Sequence, residues 1–543
     1  PSAPSRSTGN IMDNKRLLLA TAICFAVLVG WQYLAEFMGW LPKREPAPQP
    51  AAEVPAAEQG APQAPAVETP LPAFAPAEGR VVTVETPLYR AEFHSGGGIL
   101  KSFVLKKYRT TVEPDSPDFE MVGPAASAMS PMGVLINGQP SWNKGQWSFS
   151  GGDLLLEEGK SGTLIFEGLL DGIRIRREIG FNADNYLMNE KLSLGASGSS
   201  ARVSWTLATG NLSGGNNYDL MSMAWDMGGS FSRETDAADL EKEGILKTGD
   251  IYWAGTMSNY FLAAVAPDKT ENAIFKGRIL PGGVWRAAVE MPAVNLAGGQ
   301  TVSMNADWWF GPKDRDLLQA APNDMSKSID MGIFTIIAVP LLKLLTWLHG
   351  LVGNWGVAII LLTIIIKIVF WPLTRKSYTS MEKMKKIQPM MKQLQEKHGK
   401  DKEALSREMM QLYKTYGVNP MGGCLPILIQ LPVFVALYQA LLNSIALRHA
   451  SFITYLPGTD MLWLADLSAR DPYYITPLVM GATMLLQQWL SPAMGDPTQR
   501  KMMMLMPVIF TVMFLNFPAG LVIYWLSNNI LSIAQQWWTL RKA

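Results

Sequence analysis

Residues 358–371 read AIILLTIIIKIVFW, an apolar run that carries one charge, Lys367, eight positions before the basic pair Arg375–Lys376. Burying a charge at hydrocarbon depth costs about 2.5–3.5 kcal/mol on insertion scales, so intramembrane lysines face a bundle interior or a wet cavity. A lysine near the end of a span has another option, because its stem can snorkel to the interface. Only about 7–8 Å of helix rise separates Lys367 from Pro372. Both readings stand on this run alone. The choice depends on where the other polar residues of the hydrophobic half lie.

Composition fits a polytopic membrane protein with a sizeable soluble part. The chain has 543 residues, 48% hydrophobic and 17% charged, and its mean hydropathy is slightly positive. The net charge of +1 conceals a division. Residues 41–335 hold 25 Lys and Arg against 35 Asp and Glu, whereas 372–423 hold 11 against 5. An acidic half and a basic loop belong on opposite sides of a bilayer. The two cysteines, Cys24 and Cys424, lie far apart in or beside hydrophobic stretches, which argues against a disulfide framework or thiolate metal site. No cofactor or metal is expected.

Residues 1–16 read as a cytoplasmic N-terminus, with a natural start at Met12 and no role for 1–11. Residues 17–40 follow Lys15–Arg16 and are too long and too poor in small-x-small sites for a cleaved signal; they are expected to be an uncleaved anchor. Residues 41–79, rich in Pro, Ala, Glu and Gln, form a spacer that cannot bury a core. From 80 to 324 short alternating runs dominate. RVVTVE (80–85), YRAEFH (89–94), ILKSFVL (99–105), RVSWTLA (202–208) and TVSMNADWWF (301–310) read as strands, and TLIFEGLLDGIRIRREI (163–179) as a hairpin around Asp171–Gly172. The expectation is a large all-β sandwich. Its tryptophans are more often core than a carbohydrate platform.

Residues 325–350 are expected to be an amphipathic interfacial helix divided by Pro340. Further spans are placed at 351–372, 424–442, 474–490, 502–517 and 518–538, several of them short against the ~20 residues of a full hydrocarbon core. Between them lie a helical hairpin (373–423), an exoplasmic loop (443–473) and a cytoplasmic loop (491–501), with a basic tail at 539–543. With six spans, Lys15–Arg16, the 372–423 loop, Arg500–Lys501 and Arg541–Lys542 share one side, so both termini are cytoplasmic and the β domain exoplasmic. In the hairpin, Met381, Met384, Ile387, Met391 and Leu394 recur at helical spacing, as do Leu405, Met409, Leu412 and Tyr416. The methionine face serves either to pack the two helices or to bind apolar segments. Lys385, Lys386 and their neighbours suit ribosomal RNA, anionic lipid or a solvated face.

Topology assigns depth to the polar residues. Thr363 and Lys367 share one face; Gln430, Gln487 and Gln488 lie toward the cytoplasmic ends of their spans; and Trp525, Asn528, Ser532 and Gln535 form a stripe on the last. All fall in the cytoplasmic half. Singly, each suits helix–helix hydrogen bonding; together they argue for a polar cavity open to the cytoplasm and sealed outward by apolar packing. None of the last five spans carries in its middle a carboxylate of the kind proton-coupled transporters use.

The stretches NWGVAIILLTIIIKIVFWPLTRKSYTSMEKMKKIQP (354–389), YGVNPMGGCLPILIQLPVFVALYQAL (416–441), DPYYITPLVMGATM (471–484) and MPVIFTVMFLNFPAGLVIYW (506–525) strongly resemble the YidC family of bacterial membrane protein insertases, in its Gram-negative form. The likeness runs from Met12 to the end. It implies six transmembrane helices with a five-helix core and a large periplasmic β-supersandwich in the bacterial inner membrane. It also implies that the protein inserts and folds other membrane proteins, alone or beside the Sec translocon, from ribosome-bound nascent chains. No small-molecule substrate and no catalytic residues are implied. A hydrophilic groove with a functional basic residue is part of the resemblance, and Lys367 falls on that residue, where many members carry arginine. Lysine keeps the charge and loses the bidentate fork. Thr363 and Tyr524–Trp525 match positions along the family's substrate path, with Trp525 where a second tyrosine often stands. The sequence reading places Gln430, Gln488, Asn528 and Ser532 in the same groove. Two rivals are a small-solute transporter or channel, and a carbohydrate enzyme built on Asp236, Asp239, Glu241 and Glu243, which look more like a solvated loop.

Overall fold

Strict period-two alternation builds the first half of the molecule. In Ile173–Asn182 alternate residues are buried, and the preceding turn places Asp171 and Gly172 at φ 48° and 81°. That left-handed pair suits a type I′ turn and registers Ile173 opposite Leu170 and Asn182 opposite Ser161. The fold comes from a computed structural model that describes residues 79–542 apart from 196–197, 199, 214–218, 269–270, 297–299, 399–400, 418–424 and 491–496. The expected anchor at 17–40, nearly all of the spacer, Cys24 and Cys424 lie outside the described residues.

The strands of the β domain run from Val81 to Pro312, and a separate short pair, Ile453–Tyr455 with Leu462–Leu464, lies far outside it in sequence. The largest sheet has nine strands, with Thr301–Pro312 between Phe261–Pro267 and Leu187–Gly195 near its centre; sheets of six and five strands complete a sandwich. Strands such as Val203–Thr209 and Phe261–Pro267 are buried at every position, as expected of strands covered on both faces. Trp205, Trp253, Trp308 and Trp309 are fully buried and serve as core. Asp236 caps the short helix Ala237–Lys242 by accepting from Ala238 N and Asp239 N. Its acidic neighbours Asp239, Glu241 and Glu243 are exposed.

After the short helix Arg315–Ala320, the longer helices are α1 (Thr335–Val352), α2 (Trp355–His398), α3 (Lys402–Thr415), α4 (Leu425–Leu442), α5 (Ile475–Leu490), α6 (Pro497–Phe514) and α7 (Ala519–Lys542). Among the described residues, two helical stretches are long and apolar enough to cross a membrane: Gly332–Val352 and Trp355–His398. Gln430–Leu442 and Met504–Phe514 are shorter apolar helices.

Two local expectations change. The segment 325–350 is not one helix divided at Pro340. Residues before Thr335 form two 3₁₀ turns separated at Ile329–Met331, and Pro340 lies inside α1. The first turn packs on the β domain through buried Met325 and through Lys327 Nζ, which donates to Asp226 Oδ2 at 3.0 Å. Nor does the chain break at Pro372: one continuous helix of 44 residues, α2, carries both the apolar run and the first arm of the hairpin. An interior proline removes a helical hydrogen bond. Just beyond it, side chains join α2 to α7. Thr374 Oγ1 lies 3.0 Å from Phe370 O and 3.1 Å from Trp371 O, and Gln535 of α7 donates to Thr374 Oγ1 at 2.6 Å.

α7 packs along α2 and α5, and α1 along α2 and α4. The loop between α4 and α5 docks on the β domain through Arg448. Its guanidinium donates to Arg109 O (2.9 Å) and Thr110 O (3.4 Å) and lies 5.1 Å from the ring centres of Phe119 and Phe261.

Candidate functional site

The polar residues of the apolar helices meet along the contact of α2, α4 and α7. Lys367 is buried, and its Nζ donates to Ser532 Oγ at 2.7 Å. Ser532 in turn donates to Asn528 O, one turn back on α7, at 2.7 Å. Gln430 Nε2 of α4 donates to Asn528 Oδ1 at 2.6 Å. Helical spacing explains the stripe: Asn528, Ser532 and Gln535 follow i, i+4, i+7 and point one way, and Gln535 continues it to Thr374. Lys367 has no carboxylate within ion-pair distance among the described residues. A narrow cleft runs beside it, bordered by Ile366, Lys367, Phe370, Leu373, Thr374 and Gln430.

An ammonium carries three donors, and the protein engages one of Lys367's with a neutral hydroxyl. The arrangement therefore holds a positive charge at the end of an apolar run with donor capacity to spare. A carboxylate reaching the cleft would meet an unneutralised cation where the low-dielectric surroundings strengthen the attraction.

The structure unites four of the expected residues, Lys367, Gln430, Asn528 and Ser532. Thr363 is fully buried, and its hydroxyl bonds its own helix at Ile359 O (2.7 Å). Gln488 is half-buried near the end of α5 and joins none of these bonds. Tyr524 is buried against Phe434, with ring centres 6.3 Å apart. Trp525 is half-buried within an aromatic group, edge-on to Phe434 at 4.8 Å and near Phe510 and Phe514 at 5.9 and 5.2 Å. This group caps the polar stripe one turn before Asn528.

Sequence reasoning missed Thr374, Asn529 and Gln536. Asn529 donates to Thr483 Oγ1 (3.3 Å) and Gln536 to Leu490 O (3.1 Å). The signal existed: Asn529 and Gln536 are seven apart on α7 and form a second stripe, toward α5.

In the hairpin, Met384 and Ile387 are buried, with Met391, Leu412 and Tyr413 packed against them. Tyr413 occupies the seam assigned above to Tyr416, which is exposed. Four residues after Met409, Tyr413 follows the helical stripe one step sooner. Met381 is half-buried; Lys385 and Lys386 are exposed.

Comparison with known proteins bears on the whole chain. A family profile described as the YidC periplasmic domain matches residues 81–344, and one described as a 60Kd inner membrane protein matches 347–543. The membrane protein insertase YidC of Nitratidesulfovibrio vulgaris (strain DSM 19637 / Miyazaki F) is 58% identical over 98% of this chain and 100% of that protein. The YidC of Geobacter metallireducens is 38% identical over 96% and 97%. A solved structure of an active YidC insertase with its first transmembrane domain resolved aligns over 86% of this chain and 94% of that one, at 19% identity and a TM-score of 0.35. Identity of this extent, end to end, across both the β domain and the helices that hold Lys367, establishes that the chain belongs to the YidC family.

Proposed function

We propose that the chain inserts and folds membrane proteins through a hydrophilic groove open to the cytoplasm, between α2, α4 and α7. The observation that carries this reading is the bonding of Lys367, a buried cation held by one neutral hydroxyl beside a cleft. Family membership supports it. A substrate tail or hairpin enters from the cytoplasm, and Lys367 attracts an acidic residue in the part to be translocated. Gln430, Asn528 and Ser532 exchange their mutual bonds for bonds to water and substrate, which lowers the cost of moving polar groups into the bilayer. The apolar substrate helix then gains its transfer energy by sliding sideways into lipid. Thr363 and Gln488 flank the path; Tyr524 and Trp525 line its apolar end. No covalent bond changes, and no nucleotide or metal takes part.

The accompanying topology has six spans in the bacterial inner membrane, with both termini cytoplasmic and the β domain periplasmic. Nascent membrane proteins are the substrates. The Sec translocon, the ribosome (met by the basic hairpin, Lys385 and Lys386, and by the tail) and lipid are the partners. Met381, Met384 and Met391 hold the hairpin's shape.

Purified protein in liposomes tests the reading with a short phage-coat-like substrate. Insertion is expected; solute flux without insertion would overturn it in favour of a transporter or channel. Lys367→Arg is expected to retain insertion. Lys367→Ala is expected to lose about tenfold on acidic-tailed substrates, the factor that ~1.4 kcal/mol of attraction supplies, and much less on neutral-tailed ones.

A further inference from the structure

A second cleft lies about one to four turns beyond Lys367 along α2, bordered by Trp371, Arg375, Lys376, Thr379 and Lys383 of that helix and by Gly417. It is wider than the first, and its charge is of one sign. Arg375, Lys376 and Lys383 form no ion pair among the described residues; Glu382, the acid nearest in sequence, pairs with Lys386 at 3.6 Å. Thr379 spends its hydroxyl on Arg375 O at 3.0 Å, so the three cations dominate the cleft. Spacing places Ile368, Pro372, Lys376, Thr379 and Lys383 at i, i+4, i+8, i+11 and i+15, one face of one helix. The apolar end of that face is bare: Ile368 is 64% exposed and Val369 65%. At the boundary Trp371 meets Trp538 of α7 with ring centres 5.3 Å apart, and tryptophans favour headgroup depth. The face thus has the profile of a single lipid molecule, apolar below the tryptophans and cationic above.

We infer that this cleft holds the phosphate of an anionic phospholipid whose acyl chain lies over Ile368 and Val369. Three converging cations neutralise the headgroup, and the exposed aliphatic pair takes the chain that follows it. The site rests on the reading that α2 crosses the bilayer, but not on Lys367 or on insertion.

The test uses the full chain in phosphatidylcholine nanodiscs with trace spin-labelled phosphatidylglycerol or, separately, spin-labelled phosphatidylcholine, and reads the motionally restricted fraction of each. Phosphatidylglycerol is expected to be preferred, with about fivefold of the preference lost per cation removed. The triple variant Arg375→Gln, Lys376→Gln, Lys383→Gln should lose the preference. The triple variant Lys392→Gln, Lys397→Gln, Lys414→Gln removes as much charge from exposed positions and should keep it. Equal loss in both would overturn the site in favour of diffuse surface charge. Displacement of the label by inorganic phosphate, but not by chloride at equal ionic strength, would assign the cleft to free phosphate and overturn the lipid. Lys367→Ala is expected to keep the preference while losing insertion of acidic-tailed substrates. Failure of the insertase reading therefore shows in the insertion assay alone, and failure of this one in the lipid preference alone.

Discussion

Arg177, in the β domain, has Glu190 at 2.6 Å and backbone carbonyls of Gly97, Gly98 and Met132 around its guanidinium, while Glu190 also accepts from Trp308 Nε1 at 2.8 Å. Lys367, in α2, has one serine hydroxyl at 2.7 Å. Both are buried. The first charge is neutralised and its donors are consumed, so nothing arriving from outside could gain by meeting it; it is architecture. The second is left electrostatically open in a part of the molecule where openness is expensive. Lys367 also borders a cleft, and an incompletely paired cation beside an opening is where an external charge can be met.

The comparison can be broken from either side. Glu190→Gln should have the largest effect, because it strands a buried guanidinium; losses from breaking such pairs run to about 3–5 kcal/mol. It would be read as the urea midpoint of pulse proteolysis of the β domain in the full chain, and a loss below about 1 kcal/mol would remove Arg177–Glu190 as the contrast. Arg448 lies between the extremes, with two carbonyls and two aromatic faces but no bonded carboxylate. Arg448→Ala should cost about 1.5–3 kcal/mol, seen as faster amide exchange in both Ile99–Arg109 and the α4–α5 loop.

Lys313, at the base of the β domain, donates to Ser258 O at 3.1 Å, and burial pushes its pKa down to about 7. The unfolded lysine keeps its ordinary value near 10.5, so between pH 7 and 10 the unfolded chain binds more protons than the folded one. Stability should therefore rise with pH across that window, by up to about 1.4 kcal/mol per unit, and the slope should vanish in Lys313→Met. The smallest effect is expected at Lys367 itself. Lys367→Met removes a desolvated charge and a single hydrogen bond, so the unfolding midpoint of the helical core should move by less than about 1 kcal/mol while insertion of acidic-tailed substrates falls. A large loss of stability would make Lys367 structural, like Arg177.

What could be read beforehand follows from how local each signal is. Alternation in Ile173–Asn182 and the seven-residue repeat of Asn528, Ser532 and Gln535 are properties of one segment, and both are visible in it. The bonds that complete the site are not. Gln430 meets Asn528 from a helix nearly a hundred positions away, and only the packed bundle shows that Thr363 is spent on its own backbone. The contact beside Pro372 was hidden for the same reason: Gln535, which donates to Thr374, comes from α7. Arg177 and Glu190 were hidden differently. Both fall on the buried phase of their strands, Arg177 with Ile175 and Ile179 and Glu190 with Met188 and Leu192, so their inward direction was legible, but their diagonal meeting across the register, with Arg177 opposite Leu192 and Glu190 opposite Ile179, was not.

The continuity of α2 through Pro372 has a mechanical consequence. With 44 residues at 1.5 Å of rise, α2 is about 66 Å long, and about 25 Å of it separates Lys367 from Met384 in the seam with α3. No loop intervenes between the two, although Pro372 and Pro389 lie inside the helix, and Gln535 of α7 holds Thr374 beside the first of them. The hairpin and the lysine therefore share one rigid element, with no flexible joint of loop between them.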